Sequence, residues 1–238
     1  MQRLTNIFSA LSFVEDDEDL TPDANPKSKG ANGNNGSSSV KDGGGGEKRD
    51  SNGPHELYKP LVWIDLEMTG LDLETDLILE IACIITDGRL EKMIEGPDLI
   101  IQQPEGALAR MNDWCQEHHT ASGLVDGVRR SIISQAEAEK EVLDFVTQHV
   151  APGRALLAGN SVYVDLLFLR KYMPKLAEFF PHVLVDVSSL RALCVRWYPR
   201  DADKAPQKKK KHRALDDIKE SIAELRYMQG AIFKRPKR

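Results

Sequence analysis

The sequence predicts an α/β protein with one mixed sheet and helices on both of its faces. Three apolar runs joined by short turns predict an antiparallel meander: one that begins at Leu61, then Leu77–Thr86 and Leu90–Ile101. Two further short apolar runs, Ala155–Ala158 and Val183–Val187, are each followed by a segment with helical spacing. A meander followed by such β-α units gives a mixed sheet.

Composition narrows the class of protein. The chain of 238 residues is 41% hydrophobic, which is enough for a core, and its three cysteines are widely spaced. No apolar run is long enough to span a membrane, and no CxxC pair indicates zinc or a disulfide framework. We expect a single domain over residues 58–233, a reducing compartment and no membrane partner, with the cytoplasm favoured over the mitochondrion.

Residues 1–55 are predicted to lie outside this domain. Met1–Val14 has the apolar spacing of a short helix, but the acidic run Glu15–Asp19 follows it directly. A mitochondrial presequence would instead be rich in arginine and poor in acidic residues. Thr21–Pro54 consists largely of small and polar residues, which cannot bury enough apolar surface to offset the entropy of ordering. We therefore predict a disordered extension, and a short basic tail at residues 234–238.

The net charge of −5 is unevenly divided. Residues 1–55 contain six basic and nine acidic residues, which leaves 26 basic and 28 acidic residues in the rest of the chain. This near balance argues against a long basic groove that follows many phosphates. A nucleic acid substrate should therefore be short, or be held by metal ions.

Two carboxylates interrupt the first apolar run at alternate positions, Asp65 and Glu67. Alternate residues share one face of a strand, about 7 Å apart. Like charges on a buried strand need neutralisation, and no lysine or arginine lies within this run. Oxygen ligands of this kind suit Mg²⁺ or Mn²⁺. The alternative is a strand end where both side chains simply meet water.

Other acidic residues lie further along the chain. Asp165 comes about one turn into the helix after a short strand, at the edge of the sheet where ligands usually bind. By itself it is more typical of a carboxylate that stabilises a helix N-terminus. Near the C-terminus, five residues of regular helix turn through about 500°, so His212 must precede the helix if it and Asp217 share a site. Periodicity does not choose between Asp216 and Asp217.

Six motifs follow one another in the order Trp63–Leu71, Trp114 with His119–Leu124, Gly159–Ser161 with Asp165, Lys171–Pro174, Asp186–Ser188, and His212 with Ala214–Ile218. Together they resemble the histidine-bearing branch of the DEDD exonuclease superfamily, which has the ribonuclease H-like fold. Within that branch the chain is most similar to the oligoribonuclease family, in particular to its plant members. The resemblance covers nearly the whole predicted domain.

The resemblance implies a 3′-to-5′ exoribonuclease that degrades short oligoribonucleotides, down to dinucleotides, to 5′-mononucleotides. It also implies that four carboxylates hold two divalent metal ions, Mg²⁺ or Mn²⁺. These carboxylates are Asp65, Glu67, Asp165 and Asp217. His212 would accept the proton of the attacking water. The substrate-binding residues implied in the same way are Met68, Thr69, Leu71, Trp114, His119, Ser161 and Ser188.

By analogy with the family, the substrate contacts fall into two groups. Leu71 would wedge beside a base, and Trp114 and His119 would line the other side. Ser161 and Ser188 would lie near the 5′ phosphate, and a pocket closed around that phosphate would accept only short chains. Leu71 and Trp114 could also simply be core residues.

The resemblance further implies a homodimer, although one pair of positions departs from the family. Many oligoribonucleases have a Tyr-Arg pair that reaches the partner's site from just before the Asp186 strand. Here these positions are His182 and Val183. A histidine could still stack, whereas a valine cannot bind phosphate. The loop over residues 199–211 is longer and more basic than usual in the bacterial members, and we expect its lysines Lys208–Lys211 to help hold the substrate.

Two other functions stay open at the level of sequence. A 3′-to-5′ exonuclease that acts on DNA or on structured RNA ends would share the same carboxylates, so only relative turnover of different substrates distinguishes it. A non-catalytic nucleotide-binding protein with this fold would usually have lost an acidic ligand. None is missing from this chain.

Overall fold

A five-stranded mixed sheet lies at the centre of the computed structural model, which describes residues 57–207 and 212–233. Its strands are β1 (Leu61–Met68), β2 (Ile78–Thr86), β3 (Met93–Ile100), β4 (Leu156–Gly159) and β5 (Leu184–Asp186). Their order across the sheet is β3-β2-β1-β4-β5. The first three strands pair antiparallel, whereas β4 runs parallel to β1 and β5 runs parallel to β4. The predicted meander with added β-α units is therefore confirmed.

Among the described residues there are nine helices, several of them short. They are α1 (Glu105–Leu108), α2 (Asp113–Ala121), α3 (Leu124–Arg130), α4 (Gln135–His149), α5 (Tyr163–Tyr172), α6 (Pro174–Ala177), α7 (Val187–Trp197), α8 (Pro199–Ala202) and α9 (Ala214–Ala231). The polar character of residues 199–213 predicts a loop there, and this prediction is wrong at its start, where α8 forms. Pro199 occupies the beginning of that helix, a position that needs no N–H donor.

Ser134 followed three residues later by Glu137 predicts a capping box, and helix α4 begins there. The Glu137 carboxylate accepts a hydrogen bond from the Ser134 backbone N–H at 2.8 Å, and the Ser134 hydroxyl accepts one from the Glu137 N–H at 3.3 Å. This capping box satisfies two donors that a helix N-terminus would otherwise leave without acceptors. The helix then packs its apolar stripe against the sheet.

Alternation along β1 divides the core into two layers. Ile64 belongs to the layer in which the sheet packs against α4, α5 and α6. Trp63 belongs to the layer in which it packs against α7 and α9. Helices thus cover both faces of the sheet, as predicted. Asp65 and Glu67 follow Trp63 in the alternation, so their side chains point to the face that α9 covers.

Some predictions fall outside the described ranges. They concern the helix at Met1–Val14, the disorder of residues 1–55, the basic tail at 234–238 and the lysines Lys208–Lys211. Every described residue belongs to one unit of the chain, His55–Arg238. None of the helices in the described part combines the length and the apolar character that crossing a membrane requires.

Candidate active site

Three carboxylates meet at the carboxyl end of β1. Asp65 and Glu67 are the two partly exposed residues of an otherwise buried strand. Asp217, on the first turn of α9, approaches them from the adjoining helix layer. One oxygen from each side chain lies within 4.8 Å of the other two. Hard oxygen donors that converge in this way fit a divalent cation.

The structure distinguishes Asp217 from its neighbour Asp216, whereas helical periodicity does not. Asp217 belongs to the group of three carboxylates. Asp216 acts on a different side chain, that of Asp98, which lies on β3. Burial is the main cause that raises the pKa of Asp98, and the charges of Glu80 and Asp216 add to it. Only Asp217 therefore belongs to the candidate metal site.

Asp165 borders this group from the first turn of α5. Its side chain is 6% exposed, and its Oδ1 accepts a hydrogen bond from the Leu66 N–H at 3.0 Å. The pairing of β1 with β4 ends at Trp63, so Asp165 satisfies a main-chain donor that β4 does not reach. Burial raises the pKa of Asp165 to about 8. The residue contacts β1 between Asp65 and Glu67, yet it lies outside the group of three carboxylates.

The ionised form of Glu67 is unfavourable in this arrangement. Burial is the largest cause that raises its pKa well above the usual range, followed by the negative charge of Asp217. Glu80 and Asp165 act in the same direction, and Arg213 opposes them. A bound divalent cation would offset both the burial and the repulsion. The donor set therefore indicates a divalent metal site.

His212 lies in the segment before α9, as the sequence predicts, and packs against two rings of α2. Trp114 and His118 stack with a centroid distance of 4.0 Å. The ring of His212 meets both edge-on, at 5.2 Å from Trp114 and 4.8 Å from His118. We call Trp114, His118 and His212 the ring cluster. His118 carries no assignment from the sequence, although its position one helical turn after Trp114 is a usable signal.

His119 points into the protein. Its side chain is 2% exposed, and its Nε2 lies 2.9 Å from the Met68 carbonyl oxygen. Because a carbonyl only accepts hydrogen bonds, Nε2 carries the proton. The other ring nitrogen is 3.8 Å from Glu67 Oε2 and has no hydrogen-bond partner among the described residues. Burial lowers the pKa of His119. The ring thus lies beneath the end of β1 rather than at its surface.

The turn after β1 holds Leu71. The Thr69 hydroxyl donates to Asp76 Oδ1 at 2.7 Å and accepts from the Leu77 N–H at 3.0 Å. Met68 and Thr69 are both buried. Leu71 is only half-buried and packs against the core on one side. Of the three predicted contact residues in this turn, Leu71 is therefore the one whose side chain reaches the surface.

Ser161 and Ser188 are brought together by a carboxylate at the end of β5. Asp186 Oδ1 accepts hydrogen bonds from the Ser161 N–H at 2.9 Å, the Ser188 N–H at 3.0 Å and the Ser188 hydroxyl at 2.7 Å. Asp186 thereby joins the loop after β4 to the first turn of α7. The two serines that the resemblance assigns to one phosphate share this acceptor.

Two further residues near the three carboxylates, Glu80 and Arg213, carry no assignment from the sequence. Glu80 is fully buried in β2, directly opposite Glu67 in the register of the two strands. Its carboxylate accepts hydrogen bonds from Arg213, from Nε at 3.0 Å and from Nη2 at 2.6 Å. The position of Glu80 within an apolar run could have indicated a partner, because glutamates are rarely fully buried unless they are paired.

Comparison with known proteins gives close relatives over most of the chain. The family model described as Exonuclease matches residues 62–225. An oligoribonuclease of Arabidopsis thaliana is 53% identical over 234 residues, which are 98% of this chain and 99% of the relative. A mitochondrial oligoribonuclease of Homo sapiens is 51% identical over 179 residues, covering 75% of this chain and 76% of the relative. An oligoribonuclease of Vibrio parahaemolyticus is 50% identical over 174 residues, covering 73% and 96%.

Solved structures share the fold at much lower identity. Exonuclease I of Methylocaldum szegediense matches with a TM-score of 0.54 and 18% identity, over 73% of this chain and 41% of that one. The zinc-bound complex of E. coli exonuclease I with single-stranded DNA matches with a TM-score of 0.51 and 16% identity, over 74% and 41%. This likeness confirms the predicted ribonuclease H-like fold. Since the family model spans most of the sheet and helices, and relatives of about half identity cover most of the chain, the protein belongs to the oligoribonuclease family of exonucleases.

Proposed function

We propose that this protein is a hydrolase that degrades short single-stranded oligoribonucleotides, down to dinucleotides, from their 3′ ends into 5′-mononucleotides. The observation that carries this proposal is the group of Asp65, Glu67 and Asp217, whose carboxylate oxygens lie within 4.8 Å of one another. His212 comes directly before the helix that supplies Asp217. Membership of the oligoribonuclease family supports the substrate class. We assign the activity to a domain over residues 58–233.

Four carboxylates are proposed to hold two divalent ions, Mg²⁺ or Mn²⁺. Asp65, Glu67 and Asp217 would hold one ion, and Asp65 with Asp165 would serve the other. When bound, such ions stabilise charge on the attacking and leaving oxygens of a phosphodiester. The raised pKa of Glu67, caused first by burial, supports a need for positive charge at this position.

His212 is proposed to accept the proton of the attacking water. A neutral imidazole has a free ring nitrogen that can take up a proton from water and pass it on to solvent. The ring is partly exposed, so both substrate and solvent can reach it. Its edge-on contacts with the rings of Trp114 and His118 support a fixed position for the imidazole.

Substrate contacts are proposed for three partly exposed members of the predicted set and for one buried member, Ser161. Trp114 and Leu71 would contact a base, since each has one face packed and another open to solvent. Ser161 and Ser188, which share the Asp186 carboxylate, would lie near the 5′ phosphate. The other buried members are proposed to support these contacts from behind: Met68, Thr69 and His119.

The test uses RNAs labelled at the 5′ end, from dinucleotides to heptanucleotides, with Mg²⁺, Mn²⁺ or EDTA. We expect release of labelled 5′-mononucleotide, fastest from the shortest substrates, and none in EDTA or with Asp65→Asn. Equal or faster turnover of a long DNA strand would favour the DNA exonuclease alternative. Binding of dinucleotide without metal-dependent release by either form would instead indicate a non-catalytic binding protein.

A homodimer is proposed through the surface beside β5. Val183 and Tyr163 are each 47% exposed, and Leu167, one turn after Tyr163 on α5, is 40% exposed. His182 lines a groove of about 330 Å³ together with residues of α5. Apolar exposure of this kind is typical of association surfaces. Sedimentation should give twice the chain mass for the wild type and a lower mass for Leu167→Glu.

For the compartment we propose the cytoplasm, which the acidic run after Met1–Val14 favours. The mouse and human relatives are named as mitochondrial oligoribonucleases, so the mitochondrion is the alternative. Imaging of the full chain fused at its C-terminus to a fluorescent protein distinguishes the two. Signal that overlaps a mitochondrial dye would contradict the cytoplasmic assignment.

A further inference from the structure

Glu80 joins β2 to the first residues of α9. Its side chain is fully buried, and one carboxylate oxygen accepts from Nε and Nη2 of Arg213 at 3.0 and 2.6 Å. The other oxygen accepts from the Ala214 backbone N–H at 3.1 Å. Both oxygens are thus used, and the charge is matched by a guanidinium. An ionised carboxylate that is buried needs partners of this kind to offset the loss of its hydration.

The anchored residues adjoin two members of the proposed site. His212 directly precedes Arg213, and the Asp217 N–H donates to the Arg213 carbonyl at 3.0 Å. Arg213 is the N-cap residue of α9, but its side chain makes no capping hydrogen bond. Glu80 therefore supplies, from strand β2, an acceptor for one of the backbone N–H groups that the helix start leaves without an intrahelical partner. One fixed point sets the start of the helix.

His212 adopts a backbone conformation that depends on its surroundings. Its φ of +49° lies in the left-handed region, which residues other than glycine seldom occupy. Such conformations persist where neighbouring contacts determine them. The bound guanidinium on the next residue and the ring cluster around the imidazole are two such contacts. Without Glu80, the link between His212 and the helix would lose its anchor.

We propose that Glu80, acting through Arg213, is a positioning residue for His212 in the reaction. The inference rests on the proposed function, in which His212 is the base. Glu80 is not one of the three carboxylates of the candidate metal site. Its oxygens already accept hydrogen bonds from Arg213 and Ala214. It acts on the orientation of the base and contacts neither substrate nor metal.

The first test is a double-mutant cycle with a diribonucleotide and saturating Mg²⁺. We expect Glu80→Gln to lower kcat about tenfold or more and to change KM less than about threefold. In a His212→Ala background, assayed at high enzyme concentration, the same substitution should cost less than about threefold, because the base that Glu80 orients is gone. Arg213→Lys keeps the charge without the two-pronged contact and should fall between Glu80→Gln and wild type.

The second test measures position without turnover. Amide hydrogen exchange over residues 212–218, in EDTA and without substrate, should be faster in Glu80→Gln than in wild type. Glu95→Gln is the matched control, because Glu95 pairs with Lys219 at 3.1 Å and also joins α9 to the sheet, but on the exposed side and beyond the helix start. It should change neither this exchange nor kcat by more than about twofold. Ile222→Val, a core change in α9, controls for loss of stability alone, since it should lower Tm and leave kcat unchanged.

Three outcomes overturn the inference. They are equal losses of kcat from Glu80→Gln in both backgrounds, unchanged exchange over residues 212–218, and a loss of kcat in Ile222→Val as large as that in Glu80→Gln. If Glu80→Gln does not fold, Arg213→Lys takes its place in the same cycle and exchange measurement. A wild-type protein that releases no mononucleotide contradicts the proposed function itself, whereas the exchange result still tests whether Glu80 fixes the start of α9.

Discussion

Glu67 and Glu80 are paired opposite each other in strands β1 and β2, but their charges have opposite surroundings. Glu80 is enclosed and receives the guanidinium of Arg213. Glu67 lies at the strand end beside Asp65 and Asp217, where burial and like charges raise its pKa. A buried carboxylate that the chain neutralises itself becomes part of the framework. A buried carboxylate that lies among other carboxylates instead favours the binding of an external cation.

The largest effect is expected from removing a ligand on the Glu67 side of this pair. Asp217→Asn should lower kcat/KM about 10³-fold, because a lost charged metal ligand removes several kcal/mol of transition-state stabilisation. Asp216→Asn is the matched control on the same helix turn and should stay within about threefold of wild type. Steady-state hydrolysis of a diribonucleotide measures both. Equal losses would show that the charge of the helix start matters and not ligation by Asp217.

The second prediction concerns stability in EDTA, where the two glutamates should differ in sign. Glu80→Gln removes the negative charge that pairs with Arg213. Because Arg213 is about a third exposed, we expect the free energy of unfolding to fall by only about 2 kcal/mol, which lowers Tm by about 6 °C. Glu67→Gln relieves like-charge repulsion and should raise Tm by about 2 °C. Calorimetric melting of the two variants and the wild type, with and without Mg²⁺, measures these changes in Tm. A fall in Tm for Glu67→Gln would mean that its charge is already neutralised within the chain.

The third prediction follows from Asp165, whose pKa burial raises to about 8 from an ordinary value near 4. A raised acid pKa favours the folded state while the group is neutral. This contribution is complete below about pH 4 and is lost as the pH rises toward about 8. Without metal, Tm of the wild type should therefore fall by a few degrees more between about pH 5 and pH 8.5 than Tm of Asp165→Asn. Parallel pH profiles would contradict the burial effect, and Mg²⁺ should reduce the difference.

The smallest effect is expected in the ring cluster, where Trp114 and His118 contact His212 through their rings. His118→Gln removes the ring stacked on Trp114 and should lower kcat/KM about fivefold, in line with about 1 kcal/mol for an aromatic pair. His149→Gln is the control, because that ring packs against Phe145 on α4 and contacts no site residue. It should leave kcat/KM unchanged. A comparable loss in both variants would count against a role for the cluster.

Local pattern predicts the five strands and the helix that begins at Ser134, and it misses four of the helices. The strands and the helix start at Ser134 follow from alternation and capping, which depend on neighbouring residues alone. Helices α1, α2, α3 and α8 are mostly short, and helices of that length gain their stability from packing rather than from propensity. His119 shows the same limit in the site. Its burial beneath β1 depends on where α2 lies against the sheet, which spacing does not reveal.

The sequence by itself determined that Asp65 and Glu67 share one face of a buried strand, because the period of two follows from backbone geometry. It also determined that His212 must precede the last helix if it and Asp217 share a site, because five residues of regular helix turn through about 500°. Tertiary structure alone decided that Asp217 and not Asp216 joins them, that Asp165 takes the Leu66 N–H, and that Glu80 takes Arg213. These pairings join residues about 100 or more positions apart, and they depend on how α5 and α9 pack against the sheet, which no local pattern encodes.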